Sequence, residues 1–322
     1  MNTKIVNALI VISGLVLCLC VGWVVKVLYE QPNIQSHEVE PAHDPYRIAY
    51  ISDELGTDFW KRIQHGVQEE VDPAIAEVAF WGGYRKNAAE FLKQMDMAIA
   101  AKVDGMIVYG KETEAFDEII NKALMHGIPV MTIAADSDSK LRKTYIGSNH
   151  YAAGKEMGAY MLRTVNPRTK VAVIRTELDE TAEQQHLIGL KIAFSEYPEL
   201  RVIDSSEQQA KNSSIEEAVK QVLNEHPDCR VFIAMEDNTA QEIAKELQRR
   251  FDLRSFSIYA FEDSQETLRL MEHGVVKATI RHEPEQMGKT SLAAMLQWIK
   301  GERLPLKKSM YTPFELMTGE DL

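Results

Sequence analysis

The residues best placed to carry catalysis are those of the first predicted strand-to-helix turn, where nucleotide cofactors bind in many α/β folds. This turn reads SDELGTDF over residues 52–59 and lacks the G-x-G-x-x-G spacing that lets a backbone approach pyrophosphate. Gly82 and Gly83 are two adjacent glycines outside any such motif, and they indicate a turn. The sequence contains neither a P-loop nor a nucleophile elbow. We therefore predict a protein that is not an enzyme, with a Rossmann-like enzyme as the least favoured class.

Histidines and cysteines are the side chains most suited to hold a transition metal, but their spacing here forms no ligand motif. Cys229 lies alone outside an apolar N-terminal segment, so the soluble part can form neither an internal disulfide nor a cysteine-based metal site. His186 and His282 could meet carboxylates in the folded protein, although no ligand spacing in the sequence indicates it. We predict no cofactor and no metal.

Length and charge restrict the class of protein further. The 322 residues, 45% of them hydrophobic, can supply a core to each of two lobes. The chain has 48 acidic against 36 basic residues, a formal net charge of −12. Nucleic-acid affinity comes largely from Lys and Arg that neutralise phosphates, so we predict no nucleic-acid partner.

An uncharged apolar segment at residues 5–25 has the roughly 20 residues that a helix needs to cross a bilayer. A cleaved signal peptide is the alternative, but it would require small residues before the cut. Lipid attachment at Cys18 or Cys20 is disfavoured because a leucine precedes each. We predict a single-pass anchor within residues 1–29, a tether with three prolines at 30–45, and a domain on the extracytoplasmic side of the cell membrane.

The elements that must position any site alternate in a βαβ pattern from residue 46 onward. Short apolar runs separated by helical patterns of twelve to sixteen residues are typical of parallel sheets. One series of strands falls at 47–52, 77–82, 105–109 and 129–134, and a second at 170–175, 200–206, 231–235, 257–261 and 276–281. The sequence predicts two doubly wound sheets, with ligands at the carboxyl ends of their strands.

The order of these pieces resembles the periplasmic ribose-binding and galactose-binding proteins. The resemblance spans about residues 45–315 and rests on the segments AYISDELGTDFWKRIQHG, VDGMIVYGKETEAF, GIPVMTIAADSDS, YIGSNHYAAGKEMG, VFIAMEDNTAQEIA, YAFEDSQETLRLMEHG and KATIRHEPEQMGK. The effector-binding half of lactose-repressor-like regulators shares this fold, but a membrane segment stands here where their DNA-binding part would be.

The resemblance implies an α/β protein of two doubly wound, Rossmann-like lobes joined by a three-strand hinge and preceded by a transmembrane helix. Chain crossings are expected near 148–150, 281–284 and 309–312. The first lobe would comprise 46–148 plus 284–309, and the second 149–283 plus 310–322. Ligand would bind in the cleft by hinge closure.

In the first lobe, the resemblance implies ligand contacts after three strands. A sugar requires flat apolar faces for its C–H surface and polar groups for its hydroxyls. Trp60 is assigned to the ligand because it lies off the apolar face that Phe59 shares with Ile63 and Val67. The fourth strand departs from the family, because Ala134 and Ala135 precede Asp136 where many relatives have Asp directly. The residues implied in this lobe are Thr57, Phe59, Trp60, Tyr109 and Asp136.

In the second lobe, the residues at the implied ligand positions depart further from the family. His186 stands at a position where relatives have Arg, and His282 at one where they have Gln or Asn. Glu236 stands where relatives have Asn, and Glu262 where they have Asp. Phe261 is aromatic, as in the family. These acidic groups could accept hydrogen bonds from a neutral sugar or polyol, which we favour, or could pair with a cationic ligand.

Two roles remain open for such a receptor. A transmembrane anchor keeps the binding domain near one membrane partner and favours a sensory co-receptor of a histidine kinase. The alternative is the substrate-binding subunit of an ABC-type sugar importer, whose partner is a permease.

Overall fold

A computed structural model describes Val21 and residues 44–322 except 53, 84–86, 176–180, 208–213 and 237. Pro45–Leu322 form one compact unit. The predicted membrane segment at 5–25 lies outside the described residues apart from Val21, and so does nearly all of the predicted tether. Within the described part of the chain, no helix is both long and apolar enough to cross a membrane.

The first sheet contains six parallel strands. In chain order they are β1 (Tyr46–Ser52), β2 (Ala76–Gly82), β3 (Gly105–Tyr109), β4 (Val130–Ile133), β5 (Tyr145–Ser148) and β11 (Ser309–Thr312), and they are arranged β11-β5-β4-β3-β1-β2. β1 pairs with both β2 and β3, which places the change of winding direction at β1 and β3. Ligands bind at such a point in open α/β sheets.

Helices cover both faces of this sheet: α1 (Asp58–Glu70) and α9 (Pro284–Ile299) on one, α2 (Ala88–Ala100) and α3 (Glu114–Met125) on the other. Each of α1, α2 and α3 begins after a polar residue whose side chain accepts a hydrogen bond from a backbone N–H in the first turn, namely Thr57, Asn87 and Thr113. Such N-caps satisfy amides that a helix leaves unpaired.

The second sheet repeats the order of the first with one strand reversed. Its strands are β6 (Lys170–Ile174), β7 (Arg201–Asp204), β8 (Val231–Ala234), β9 (Ser257–Ala260), β10 (Val276–His282) and β12 (Phe314–Thr318), arranged β12-β10-β9-β8-β6-β7 with β12 antiparallel. Around it lie α4 (His150–Thr164), α5 (Thr181–Phe194), α6 (Ile215–Glu225), α7 (Thr239–Gln248) and α8 (Gln265–Glu272). The predicted α/β fold with two doubly wound lobes is confirmed.

The chain passes between the sheets at three places: from β5 into α4, from β10 into α9, and from β11 into β12. β11 pairs with β5 from Ser309 to Thr312, so its residues lie on both sides of the predicted lobe boundary at 309. The lobe boundaries stay predictions.

Glycines allow one helix pair in each lobe to pack closely. A Cβ on Gly288 would lie 2.3 Å from the carbonyl oxygen of Ile63, between α9 and α1. A Cβ on Gly189 would lie 2.2 Å from the carbonyl oxygen of Tyr151, between α5 and α4. Backbone atoms cannot move aside as a flexible side chain can, so both positions require glycine.

We expect Gly189→Ala to destabilise the protein by about 1–3 kcal/mol, the usual cost of overpacking. Thermal unfolding of residues 45–322 measures it. The matched control is Gly319→Ala, because its nearest contact would be an ordinary 3.9 Å to the Met271 carbonyl oxygen. An unchanged melting temperature in Gly189→Ala would contradict the close packing of α4 and α5.

Candidate functional site

A cavity of about 590 Å³ lies between the two sheets, within the 300–1,000 Å³ typical of small-molecule sites. Its lining comes from the segments that follow β1, β4 and β5 of the first sheet and β6, β8 and β9 of the second, and from the last residues of β3 and β10. The carboxyl ends of the strands in both sheets therefore face the same cavity.

Nine of the ten predicted ligand residues line this cavity, which brings together positions far apart in the chain. They are Thr57, Phe59, Trp60, Tyr109, His186, Glu236, Phe261, Glu262 and His282. Their roles toward a ligand stay predictions, but their shared location agrees with them.

Asp136 is not among the residues that line the cavity. Its carboxylate accepts from the Thr132 hydroxyl at 2.9 Å and from Arg142 Nη2 at 2.6 Å. Arg142 is buried and also donates to the Lys308 carbonyl oxygen, 2.9 Å away, beside β11. Asp136 therefore connects the loop after β4 to the strand that crosses between lobes, a structural contact that its sequence position did not reveal.

The aromatic residues of the first lobe correct one premise of the sequence analysis. Trp60 is not off the apolar face: it is 4% exposed and is buried on the same face of α1 as Ile63 and Val67. Phe59 is the half-exposed neighbour. The reason is spacing: Trp60 lies three residues before Ile63 and seven before Val67, and residues at i, i+3 and i+7 share one face of a helix. The Trp60 ring contacts Tyr109 with centroids 6.4 Å apart, so part of it still borders the cavity.

Glu262 is held by the start of α8. Its carboxylate accepts from the Ser264 backbone N–H at 2.6 Å and, through a short hydrogen bond, from the Thr267 hydroxyl. Burial raises the pKa of this carboxyl, an effect that the hydrogen bonds from Thr267 and Ser264 oppose. Glu262 therefore stabilises the loop after β9 as well as lining the cavity.

Three histidines form a connected cluster at the side of the cavity nearest the crossings. His150 Nδ1 lies 3.0 Å from His186 Nε2, and His150 Nε2 lies 2.7 Å from the Ala134 carbonyl oxygen. His282 Nδ1 lies 2.8 Å from the Ser148 hydroxyl, and its ring centroid is 5.5 Å from that of His150. His150 and Ala134 are positions that the sequence did not assign to the site.

Burial lowers the pKa of His150 to about 4 and the pKa of His282 to about 3, and it places the pKa of His186 well below its usual value. The three rings are therefore neutral at pH 7, each with one N–H and one lone pair. A carbonyl oxygen can only accept, so we assign the His150 proton to Nε2 and its lone pair to Nδ1. His186 Nε2 then donates to His150, which leaves His186 Nδ1 buried with no hydrogen-bond partner among the described residues.

An ion pair connects the lobes across the mouth of the cavity. Arg62 on α1 donates from Nη1 to the Asp263 carboxylate at 3.0 Å and from Nε to Glu285 at 2.9 Å. Asp263 follows β9 of the second sheet, so the pair holds the lobes together. Arg62 is the one Lys or Arg among the described lining residues, which also include six acids: Glu54, Asp58, Glu183, Glu236, Glu262 and Asp263.

Sequence reasoning missed Arg62, and the signal for it was weak. It lies about one turn after the predicted site residue Phe59 on α1, but its partner Asp263 is 201 positions away in the chain. Asn238 was also missed. It has a left-handed backbone with φ 63°, and its side chain lines the cavity without capping α7.

Comparison with known proteins agrees with this architecture. A model of the periplasmic binding protein domain matches residues 48–303, which is most of the chain. The chain belongs to this family. Among curated relatives, the xylose/arabinose-binding protein XylF of Sulfolobus acidocaldarius is 23% identical over 228 residues, 68% of this chain and 56% of that protein. The ribose import binding protein RbsB of Escherichia coli is 20% identical over 261 residues, 81% of this chain and 87% of that protein.

Solved structures of this periplasmic binding protein fold superimpose over nearly the whole unit. GanP, a glucose-galactose binding protein from Geobacillus stearothermophilus, has a TM-score of 0.80 at 25% identity and covers 87% of this chain and 99% of its own. The XylFII–LytSN complex has a TM-score of 0.76 at 23% identity, and the match covers 86% of this chain and 99% of the chain in that structure. The predicted resemblance to periplasmic sugar-binding proteins is confirmed.

The Arg62 bridge predicts a measurable change in lobe closure. We expect Arg62→Gln to shift residues 45–322 toward more open states, because partly exposed ion pairs contribute about 0.2–1 kcal/mol, a shift of up to about fivefold in population. Single-molecule energy transfer between dyes at Met125→Cys and Lys191→Cys, both exposed and on different lobes, measures it.

The matched control is Arg168→Gln, which removes an exposed pair with Glu199 inside the second lobe. The native Cys229 is buried and should not be labelled. Equal distance distributions in Arg62→Gln and the wild type would show that the bridge does not influence closure.

Proposed function

We propose that this chain is a receptor that binds a small sugar or polyol in the cavity between its lobes and catalyses no reaction. The observation that carries the proposal is the joint lining of one cavity by aromatic rings and hydrogen-bonding groups from both lobes. Rings can cover the C–H faces of a sugar, while carboxylates, amides and hydroxyls satisfy its hydroxyl groups.

Specific residues divide these roles in the proposal. Phe59, Tyr109 and Phe261 supply ring surface, and Trp60 supports them from the core. Glu236 and Asn238, which follow β8, supply hydrogen-bonding groups from the second lobe. Thr57 is already engaged, because its hydroxyl accepts from the Trp60 backbone N–H at 3.3 Å. The many acids keep a cationic ligand as the second ligand class.

The relatives support the ligand class through their own descriptions, which name xylose and arabinose, ribose, and glucose and galactose. All of these are neutral sugars. Closure around such a ligand would bring the Arg62–Asp263 pair together, since the two residues belong to different lobes.

For the role of the closed form, we propose presentation to a membrane-embedded sensor kinase. The support is the predicted anchor at residues 5–25, which would keep the extracytoplasmic domain beside one partner. The fold is compatible with a protein partner, since XylFII is described in a complex with LytSN. Import through an ABC permease is the second candidate, favoured by the description of RbsB as an import binding protein.

Thermal shift of residues 45–322 against a panel of pentoses, hexoses, polyols and amino sugars tests the ligand class. We expect at least one neutral sugar or polyol to raise the melting temperature with increasing concentration, because only the folded state binds it. A response restricted to amino sugars would show that the ligand is cationic and not neutral. No response across the panel would overturn the proposed function.

Once a ligand responds, Glu236→Gln tests the site. We expect its dissociation constant to rise about 10-fold or more, since hydrogen bonds to charged groups contribute about 1.5–3 kcal/mol. Isothermal titration calorimetry measures the change. Glu242→Gln is the matched control, because Glu242 is exposed on α7 and does not line the cavity. Equal affinities of Glu236→Gln and the wild type would remove Glu236 from the site.

Deleting the gene in its native host separates sensing from import. For a co-receptor, we expect the transcriptional response to the sugar to disappear while uptake of the labelled sugar continues. For an import subunit, uptake itself should fall. Expression of the chain without residues 1–29, directed to the same compartment, is expected to restore uptake in the import case but not the transcriptional response in the co-receptor case.

A further inference from the structure

The histidine cluster has a feature that sugar binding does not require. His150, His186 and His282 come from three different elements, the start of α4, the middle of α5 and the end of β10. One ring nitrogen from each lies within 4.8 Å of the other two. Sugar sites need donors and acceptors directed at hydroxyls, whereas here imidazole nitrogens converge on one another.

We propose that these three histidines form a binding site for a divalent first-row transition metal of the zinc class. Imidazole nitrogen is the common protein ligand for Zn²⁺, Ni²⁺, Co²⁺ and Cu²⁺, while Mg²⁺ and Ca²⁺ require oxygen ligands. Two nitrogens at about 2.05 Å from one tetrahedral zinc lie about 3.4 Å apart. The 3.0 Å between His150 Nδ1 and His186 Nε2 therefore needs to open by only a few tenths of an ångström.

The rings are oriented by contacts of the kind that surround metal-binding histidines. A ligating histidine usually donates its other ring N–H to a carbonyl or a carboxylate. His150 does so with the Ala134 carbonyl oxygen at 2.7 Å, which directs its Nδ1 lone pair into the cluster. His282 contacts the Ser148 hydroxyl at 2.8 Å, and the His186 ring stacks on Phe261 with centroids 4.1 Å apart.

The surroundings suit a dication with an open coordination position. All three histidines line the cavity, so a fourth ligand can enter from it, as in zinc sites with three protein ligands. Glu183 lies one helical turn before His186 on α5 and lines the same cavity, where its carboxylate adds negative charge near a bound cation. A water or a ligand oxygen would complete the coordination, so a metal would couple to the cavity's occupant.

The proton balance is simple. Without metal, His186 Nε2–H donates to His150 Nδ1 by our assignment. When His186 ligates through Nε2, that proton moves to its own Nδ1, the nitrogen that has no partner among the described residues. The charge of the three rings does not change, and no oxidant or reductant is involved.

Metal binding by the full-length chain tests the proposal. The protein is purified without a polyhistidine tag, stripped with a chelator and titrated with Zn²⁺ by calorimetry, and with Co²⁺ by visible absorption. We expect one metal per chain and the intense d–d bands of a four- or five-coordinate Co²⁺ site. Each of His150→Gln, His186→Gln and His282→Gln should weaken binding by at least about 100-fold, more than the 10–100-fold typical of residues that only orient a ligand.

The matched controls are His126→Gln and His273→Gln. Both histidines are exposed, and each places Nδ1 against a carbonyl oxygen of its own helix, as a structural histidine would. Zinc binding that survives the three cluster variants, is lost in the controls, or is absent from the wild type would overturn the proposal. If a cluster variant does not fold, the Co²⁺ spectrum of the wild type tests the site instead. Weak absorption bands, which are typical of octahedral Co²⁺, would overturn a three-histidine site.

The metal titrations contain no sugar, and the sugar panel is run once in chelator and once with added Zn²⁺. Failure of one proposal therefore leaves the other intact.

Discussion

The structure depends on one topological constraint: parallel strands of a doubly wound sheet all end at the same edge. Two sheets of matching strand order face each other with these edges, and the three crossings hold them there. Every loop that follows a parallel strand is consequently free to vary without disturbing the core, whose large apolar side chains lie on the helix-covered faces. A cavity rich in polar groups can then coexist with a stable fold, because the polar groups project from strand ends rather than from strand interiors.

Polar groups close to the crossings are costly to bury, and backbone carbonyl oxygens satisfy several of them. The Ala134 carbonyl accepts from both the Tyr145 hydroxyl and His150, and the Lys308 carbonyl accepts from Arg142. Ala134 adopts φ 66°, which costs an alanine about 1–2 kcal/mol. The two hydrogen bonds to its carbonyl offset that cost and fix the loop from which the first crossing is approached.

Much of the fold could be predicted from the periodicity of apolar residues in the sequence, because short apolar runs that alternate with amphipathic helices are typical of a doubly wound sheet. The order of motifs then indicated which strand ends face the cavity, and nine of the ten assigned residues are there. The failures concern contacts between distant segments. Trp60 is the exception, since its spacing from Ile63 and Val67 is a local signal. Arg142, which holds Asp136, also donates to the Lys308 carbonyl oxygen 166 positions away, and Arg62 pairs with Asp263 of the other lobe. Such pairings leave no local pattern, since either partner alone resembles an ordinary surface residue.

Three of the departures that the resemblance implied, at Ala134, His186 and His282, form one connected group in the structure through His150. The Ala134 carbonyl, where the resemblance implied an aspartate, accepts from His150. His150 contacts His186, where the resemblance implied an arginine, and the His282 ring lies 5.9 Å from that of His186. An arginine in place of His186 would bring a charge among buried neutral rings, and an aspartate in place of Ala134 would add a second one. Each of these residues contacts another member of the group, so a change at one alters the hydrogen bonds or the charge around the others.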